Sequence, residues 1–231
     1  MARPPPLLGK LAFSLAYVLA FPALLLFLSG DWRWIEGWLF SIWYTALCVT
    51  TIVYLYRRDP ALFAERFRKP GTGQQKGWDA YVVAGLAVGF LAWIVVMPLD
   101  AKRYGWSGHF PLWLEALGGG ALLGSSFFMF RAYTDNTFLS PLVRVQKDRK
   151  QQVVSTGVYG VVRHPMYLGA LLLFLGAPAL LGSLGGLAIG AAMVLLLAGR
   201  ILGEEKVLTE ELEGYAEYKK RVRHRLLPYV W

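Results

Sequence analysis

Apolar residues gather in six stretches, Leu11–Ser29, Gly37–Tyr56, Tyr81–Leu99, Leu112–Phe130, Met166–Leu181 and Gly185–Leu202, with polar residues concentrated between them. Each is close to the ~20 residues that a helix needs to cross a hydrocarbon core. The first run exceeds the ~7–15 apolar residues of a signal-peptide core, and no A-x-A-like site follows it, so it is expected to stay as a membrane helix. The pattern predicts an all-α, polytopic membrane protein of about six transmembrane helices.

Loop charges test this count, because positive residues near helix ends favour the cytoplasmic side and successive loops must alternate. Three segments are basic: one holds Arg57, Arg58, Arg66, Arg68, Lys69 and Lys76, the next Arg131, Arg144, Lys147, Arg149, Lys150 and Arg163, and the last Lys206, Lys219, Lys220, Arg221, Arg223 and Arg225. The intervening loops hold only Arg33, then Lys102 with Arg103, then no cation around Gly182–Gly186. Alternation of this kind predicts a multi-pass integral membrane protein with both termini cytoplasmic. Trp32, Trp34, Trp38 and Trp106 are expected to flank the outer ends as interfacial indoles.

Composition agrees: hydrophobic residues make up 56% and charged residues only 17%, which excludes disorder and a fibrous repeat. A net charge of +9 raises the question of nucleic acid, but basic loops facing an anionic leaflet account for it, so no nucleic-acid partner is expected. The single cysteine, Cys48, lies inside an apolar run and reads as a packed thiol. Glycines at 182, 186 and 190, and at 118, 119, 120 and 124, read as helix-packing positions, since no strand precedes them to build a nucleotide-binding turn. His109, His164 and His224 are far apart, so no metal site is expected.

Polar chemistry gathers in two places. Arg163 and His164 stand immediately before Pro165, which suits the first turn of the fifth helix. They would sit at the cytoplasmic lip beside unpaired backbone N–H groups, either as an anion site or as a lipid-snorkelling arginine with a capping histidine. Arg200, Glu204 and Glu205 end the sixth helix, and a hairpin returns them to the same level. The plain alternative for that cluster is an Arg200–Glu204 pair at i, i+4.

The blocks Val154-Ser155-Thr156-Gly157-Val158-Tyr159, Arg163-His164-Pro165-Met166-Tyr167-Leu168-Gly169, Glu204-Glu205 and Tyr215-Ala216-Glu217-Tyr218-Lys219-Lys220-Arg221-Val222 resemble the isoprenylcysteine carboxyl methyltransferase family, to which phospholipid N-methyltransferases are related. The resemblance runs over roughly Asn136 to Pro228. It divides the chain into a four-helix membrane region, 1–131, and a methyltransferase core, 132–231. It implies an S-adenosylmethionine-dependent methyltransferase acting on a lipid-phase or prenylated acceptor, most simply a carboxylate, with the cofactor pocket formed by the polar loop, the C-terminal helical hairpin and the cytoplasmic tail. Gln146, Tyr159, His164, Pro165, Tyr167, Glu204, Glu205 and Tyr218 would form the cofactor site, and Arg163 would face the reacting group. Alternative readings are a phospholipid amine N-methyltransferase, an NADPH-dependent sterol-reductase-like enzyme and a non-catalytic assembly factor.

Overall fold

A computed structural model describes residues 5–72 and 75–231. The described residues form helices and connecting segments, with no strand. Helix α1 spans Pro5–Ser29, α2 Ile35–Arg58, the short α3 Pro60–Glu65 and α4 Gly77–Pro98. A π-helical turn, Leu99–Arg103, continues α4, and α5 spans Leu112–Asp135. A long polar segment then leads to α6, Pro165–Leu181, followed by α7, Leu184–Glu211, and the short α8, Tyr215–Arg221. Five helices are long and apolar enough to cross a membrane, and α6 is a sixth apolar helix of 17 residues. That is the lower end of a spanning length.

The expected six stretches therefore recur as helices, with one consequential difference. The last runs to Glu211, nine residues beyond the end of its apolar run at Leu202, giving 28 residues or about 42 Å. Such a helix outreaches a hydrocarbon core of ~30 Å. It carries Arg200, Glu204 and Glu205 on a continuous rigid rod.

Close approach of backbones organises the bundle around α6. A methyl group at Gly118 of α5 would lie 2.3 Å from the Leu180 backbone nitrogen, and one at Gly190 of α7 would lie 2.1 Å from the Phe174 carbonyl oxygen. Small residues let helices meet this closely where lipid offers no hydrophobic drive for association. Ser125 Oγ adds a hydrogen bond to the Gly169 carbonyl, 2.8 Å, across the α5–α6 contact. Not every glycine behaves this way: Gly120 faces open space. Gly182 ends α6 with φ +78°, a left-handed conformation that glycine adopts freely.

At the bundle end opposite the polar segment, Asp100 pins the hairpin. Its carboxylate accepts from Ser183 Oγ at 2.6 Å, Ser107 Oγ at 2.7 Å and the Gly185 N–H at 2.8 Å. Trp32, Trp38 and Trp106 are exposed there, but Trp34 is buried. Gly37 makes the difference: a Cβ on it would strike the Trp34 ring at 2.5 Å, so its absence lets the indole fold onto the first turn of α2.

At the other end, a small apolar core lies beyond the spanning stretches. Val143 and Val145 of the polar segment pack with Val207 and Leu212 and with Tyr215, Tyr218 and Val222. This cluster holds α8 and the polar segment together as a cap over the ends of α6 and α7.

Candidate functional site

The residues just before α6 are tied to the tail by backbone pairing. The Arg163 N–H donates to the His224 carbonyl at 3.0 Å and the His164 N–H to the Arg225 carbonyl at 2.9 Å. Pro165 fills the first helical turn, and His164 precedes it without making a side-chain cap. The side chains then converge on Glu205, which is 3% exposed. Its Oε1 accepts from Arg163 Nε at 2.6 Å and lies 3.2 Å from His164 Nε2. Its Oε2 accepts from Arg225 Nε at 3.0 Å. Arg163 Nη1 donates to the Val222 and Arg223 carbonyls, both at 2.7 Å. A buried carboxylate with two guanidiniums and an imidazole is thus the knot joining α6, α7 and the tail.

Glu204, one residue earlier, points elsewhere. It lines a cavity of about 330 Å³, within the range of small-molecule sites. One of its oxygens, Oε2, accepts a hydrogen bond from the Tyr167 hydroxyl at 2.6 Å. Tyr167 also offers its ring to the Arg200 guanidinium, 5.9 Å from the centroid. Arg200 does not pair with Glu204. Its Nε donates to Asp79 Oδ1 at 2.7 Å and its Nη2 to the Pro141 carbonyl at 2.7 Å, because α4 packs along α7 and brings a buried aspartate within reach. Asp79 in turn accepts the Val143 N–H at 2.9 Å, so this pair positions the polar segment as well.

The structure therefore separates the residues singled out in the sequence into two groups. Tyr159, Arg163, His164, Tyr167, Glu204 and Tyr218 line the cavity. Tyr218 donates its hydroxyl to the Tyr159 carbonyl at 2.7 Å and so braces the turn at Gly157–Gly160. Glu205, Pro165 and Gln146 stand outside the lining. Gln146, 1% exposed, donates from its side-chain Nε2 to the Phe138 carbonyl and accepts from Arg149 Nη1 at Oε1, and so shapes the polar segment.

Three residues outside the expected site also line the cavity: Arg66, Arg200 and Tyr215. The Tyr215 hydroxyl is buried without a hydrogen-bond partner among the described residues. Burial, reinforced by the charges of Glu205 and Glu204, pushes its ionisation well above the usual phenol range. It therefore stays protonated at any working pH and can donate to a ligand. A buried unpaired hydroxyl is costly, and a ligand acceptor would relieve that cost. Arg200 carried one sequence signal, its position four residues before Glu204, and Tyr215 opened one of the resembling blocks; Arg66 carried none beyond residue type. Val83 and Leu86, apolar residues of α4, form a further part of the wall. Tyr167 also borders a second, apolar cleft of about 250 Å³ between α6, α7 and the tail, lined by Leu171, Val194, Leu197 and Leu226.

Comparison with known proteins bears on this arrangement. Residues 115–214 match the family described as phospholipid methyltransferase. Over 135 residues the chain is 27% identical to protein-S-isoprenylcysteine O-methyltransferase B of Arabidopsis thaliana, covering 58% of this chain and 65% of that protein. The chain thus spans a little under two thirds of that relative's length. The solved structure of a eukaryotic intramembrane Ras methyltransferase, isoprenylcysteine carboxyl methyltransferase, matches with a TM-score of 0.61 at 18% identity, over 93% of this chain and 75% of that one. The resemblance seen in the motifs is therefore present in sequence over the C-terminal part and in fold over nearly the whole chain.

Proposed function

We propose that this integral membrane protein is an S-adenosylmethionine-dependent methyltransferase whose acceptor is a lipid-phase carboxylate of the isoprenylcysteine kind. The observation that carries the reading is a single cavity with two kinds of wall. Apolar helix residues Val83 and Leu86 bound one part, and the polar segment and cap bound the rest, with Arg163, Tyr167, Arg200 and Glu204 also in the wall. The adjoining apolar cleft at Tyr167 suits a hydrocarbon chain.

The residues present fit the cofactor. A cationic ligand with ribose hydroxyls and an amino-acid end requires a carboxylate, an aromatic face and hydrogen-bond donors, and Glu204, Tyr167 and the unpaired Tyr215 hydroxyl supply them. When bound, S-adenosylmethionine supplies an electrophilic methyl group on a sulfonium, whose sulfur leaves as a neutral thioether. Glu204 would hold the positive side of the ligand, steadied by the Tyr167 hydroxyl. Arg163 keeps Nη2 without a protein partner among the described residues, while Glu205 and two tail carbonyls fix the rest of its fork. Held in this way, Arg163 would orient an acceptor carboxylate through a charge-assisted pair. No general base is needed, because a carboxylate is already ionised at neutral pH. The protein's contribution is orientation and exclusion of water by the cap.

A phospholipid amine is the second reading, supported by the description of the matching family. An ammonium would have to lose its proton first. His164 is turned onto Glu205 at 3.2 Å, and Glu204 is held by Tyr167, so neither stands ready as a base. Arg163, whose Nη2 has no protein partner among the described residues, also favours an anionic acceptor.

A tritiated-methyl assay with the purified chain tests the reading, offering a farnesylated cysteine or phosphatidylethanolamine vesicles. Label in the prenylcysteine ester, at a rate nearly flat from about pH 6 to pH 9, is the expected outcome. Label in the phospholipid, at a rate rising with pH, would replace it with the amine reading. Thermal stabilisation by NADPH and not by S-adenosylhomocysteine would remove both.

A further inference from the structure

Four arginines line the cavity beside Glu204, and three of them have a carboxylate partner within the protein. Arg144 pairs with Glu65 at 3.1 Å and Asp148 at 2.9 Å, Arg163 with Glu205 at 2.6 Å, and Arg200 with Asp79 at 2.7 Å. Arg66 is the exception. Among the described residues no carboxylate or carbonyl accepts from its guanidinium, which lies over the Tyr133 ring, 5.4 Å from the centroid. Its backbone is nevertheless well placed. It closes α3 with its N–H on the Leu62 carbonyl at 3.2 Å, and α3 is itself capped by Asp59 and anchored by the buried Leu62 and Phe63. Among the described residues, the charged side chains of the lining that have no ion-pair partner are therefore one carboxylate, Glu204, and one cation, Arg66.

We propose that Arg66 binds the α-carboxylate at the amino-acid end of S-adenosylmethionine. This rests on the cofactor reading above and extends it to a residue outside the matched 115–214 region. The cofactor carries two cationic centres, the sulfonium and the ammonium, and one anionic one. Its charges complement a cavity with one carboxylate and one spare guanidinium. An arginine already placed over an aromatic ring presents a planar fork that suits a carboxylate in two parallel hydrogen bonds. The soluble cofactor is favoured over the acceptor because Arg66 belongs to the loop between α3 and α4, outside the spanning helices, whereas Val83 and Leu86 supply the apolar wall.

Isothermal titration of the full chain in detergent provides the test, with S-adenosylhomocysteine and with its decarboxylated analogue, which keeps the ammonium. Arg66→Gln should weaken S-adenosylhomocysteine about 10- to 100-fold and leave the decarboxylated analogue within about twofold, with Arg66→Lys intermediate. Unchanged S-adenosylhomocysteine affinity in Arg66→Gln overturns the proposal, and so does equal weakening of both ligands. If that variant also raises only the acceptor KM, the anion belongs to the acceptor. Should Arg66→Gln not fold, wild type must prefer S-adenosylhomocysteine by about 10-fold and Arg66→Lys must lose part of that preference; no preference overturns the proposal. Wild type that binds neither ligand defeats the cofactor reading itself, which separates the two failures.

Discussion

Adjacent glutamates on one helix have different environments, and substitution should tell them apart. Glu205 is buried among Arg163, His164 and Arg225, so Glu205→Ala strands two guanidiniums in the protein. Removing one partner of a buried ion pair costs about 3–5 kcal/mol, and thermal unfolding in detergent should shift down accordingly. Among the described residues Glu204 has one protein partner, Tyr167, and it faces the cavity. Glu204→Gln should leave the melting temperature nearly unchanged while weakening S-adenosylhomocysteine about 10-fold, the scale of a hydrogen bond to a charged group. Equal melting temperatures for the two variants, or unchanged ligand affinity in Glu204→Gln, would refute the separation. The motif marks both acids, but it does not say which faces a ligand. Successive residues on a helix point about 100° apart, and only the packing of α6 and the tail decides which direction is the cavity.

Among the elements, α5, α6 and α7 position the site through contacts that only small residues allow. Gly118→Val would press into the Leu180 backbone, and overpacking of this kind costs about 1–3 kcal/mol. Gly120→Val, two residues along the same helix, meets nothing within 4 Å and should be neutral. Comparing the two melting curves checks the α5–α6 contact directly, and equal curves would count against it. Which of the clustered glycines pack was not legible beforehand, since the rotation of α5 about its axis is set by its partner. Likewise the apolar pattern marks where α7 leaves lipid but not where the helix ends. Its polar last turns are held by contacts of Val207 and Leu212 with the cap, which no local pattern announces.

At the scale of the whole molecule, alternating loop charge predicts that the polar segment, the cap and both termini face the cytoplasm. In a Cys48→Ser background, Thr72→Cys should react with a membrane-impermeant thiol reagent only from the cytoplasmic side and Tyr104→Cys only from the opposite side. Labelling of both from one side would contradict that topology. An all-α membrane fold, the number of apolar helices and the blocks around Arg163, Glu204 and Tyr215 were all determined by the sequence alone. Each follows from local properties, namely run length, loop charge and residue order. What the tertiary structure decided was the pairing of charges brought together from distant segments. Arg200 is taken by Asp79, 121 residues away, and not by the glutamate one turn along its own helix. Arg163 is fixed by a carboxylate 42 residues away and by tail carbonyls further still, while Arg66 has no carboxylate partner among the described residues. A buried charge selects its partner by distance and desolvation in three dimensions, and sequence spacing carries that information only within a helical turn or two.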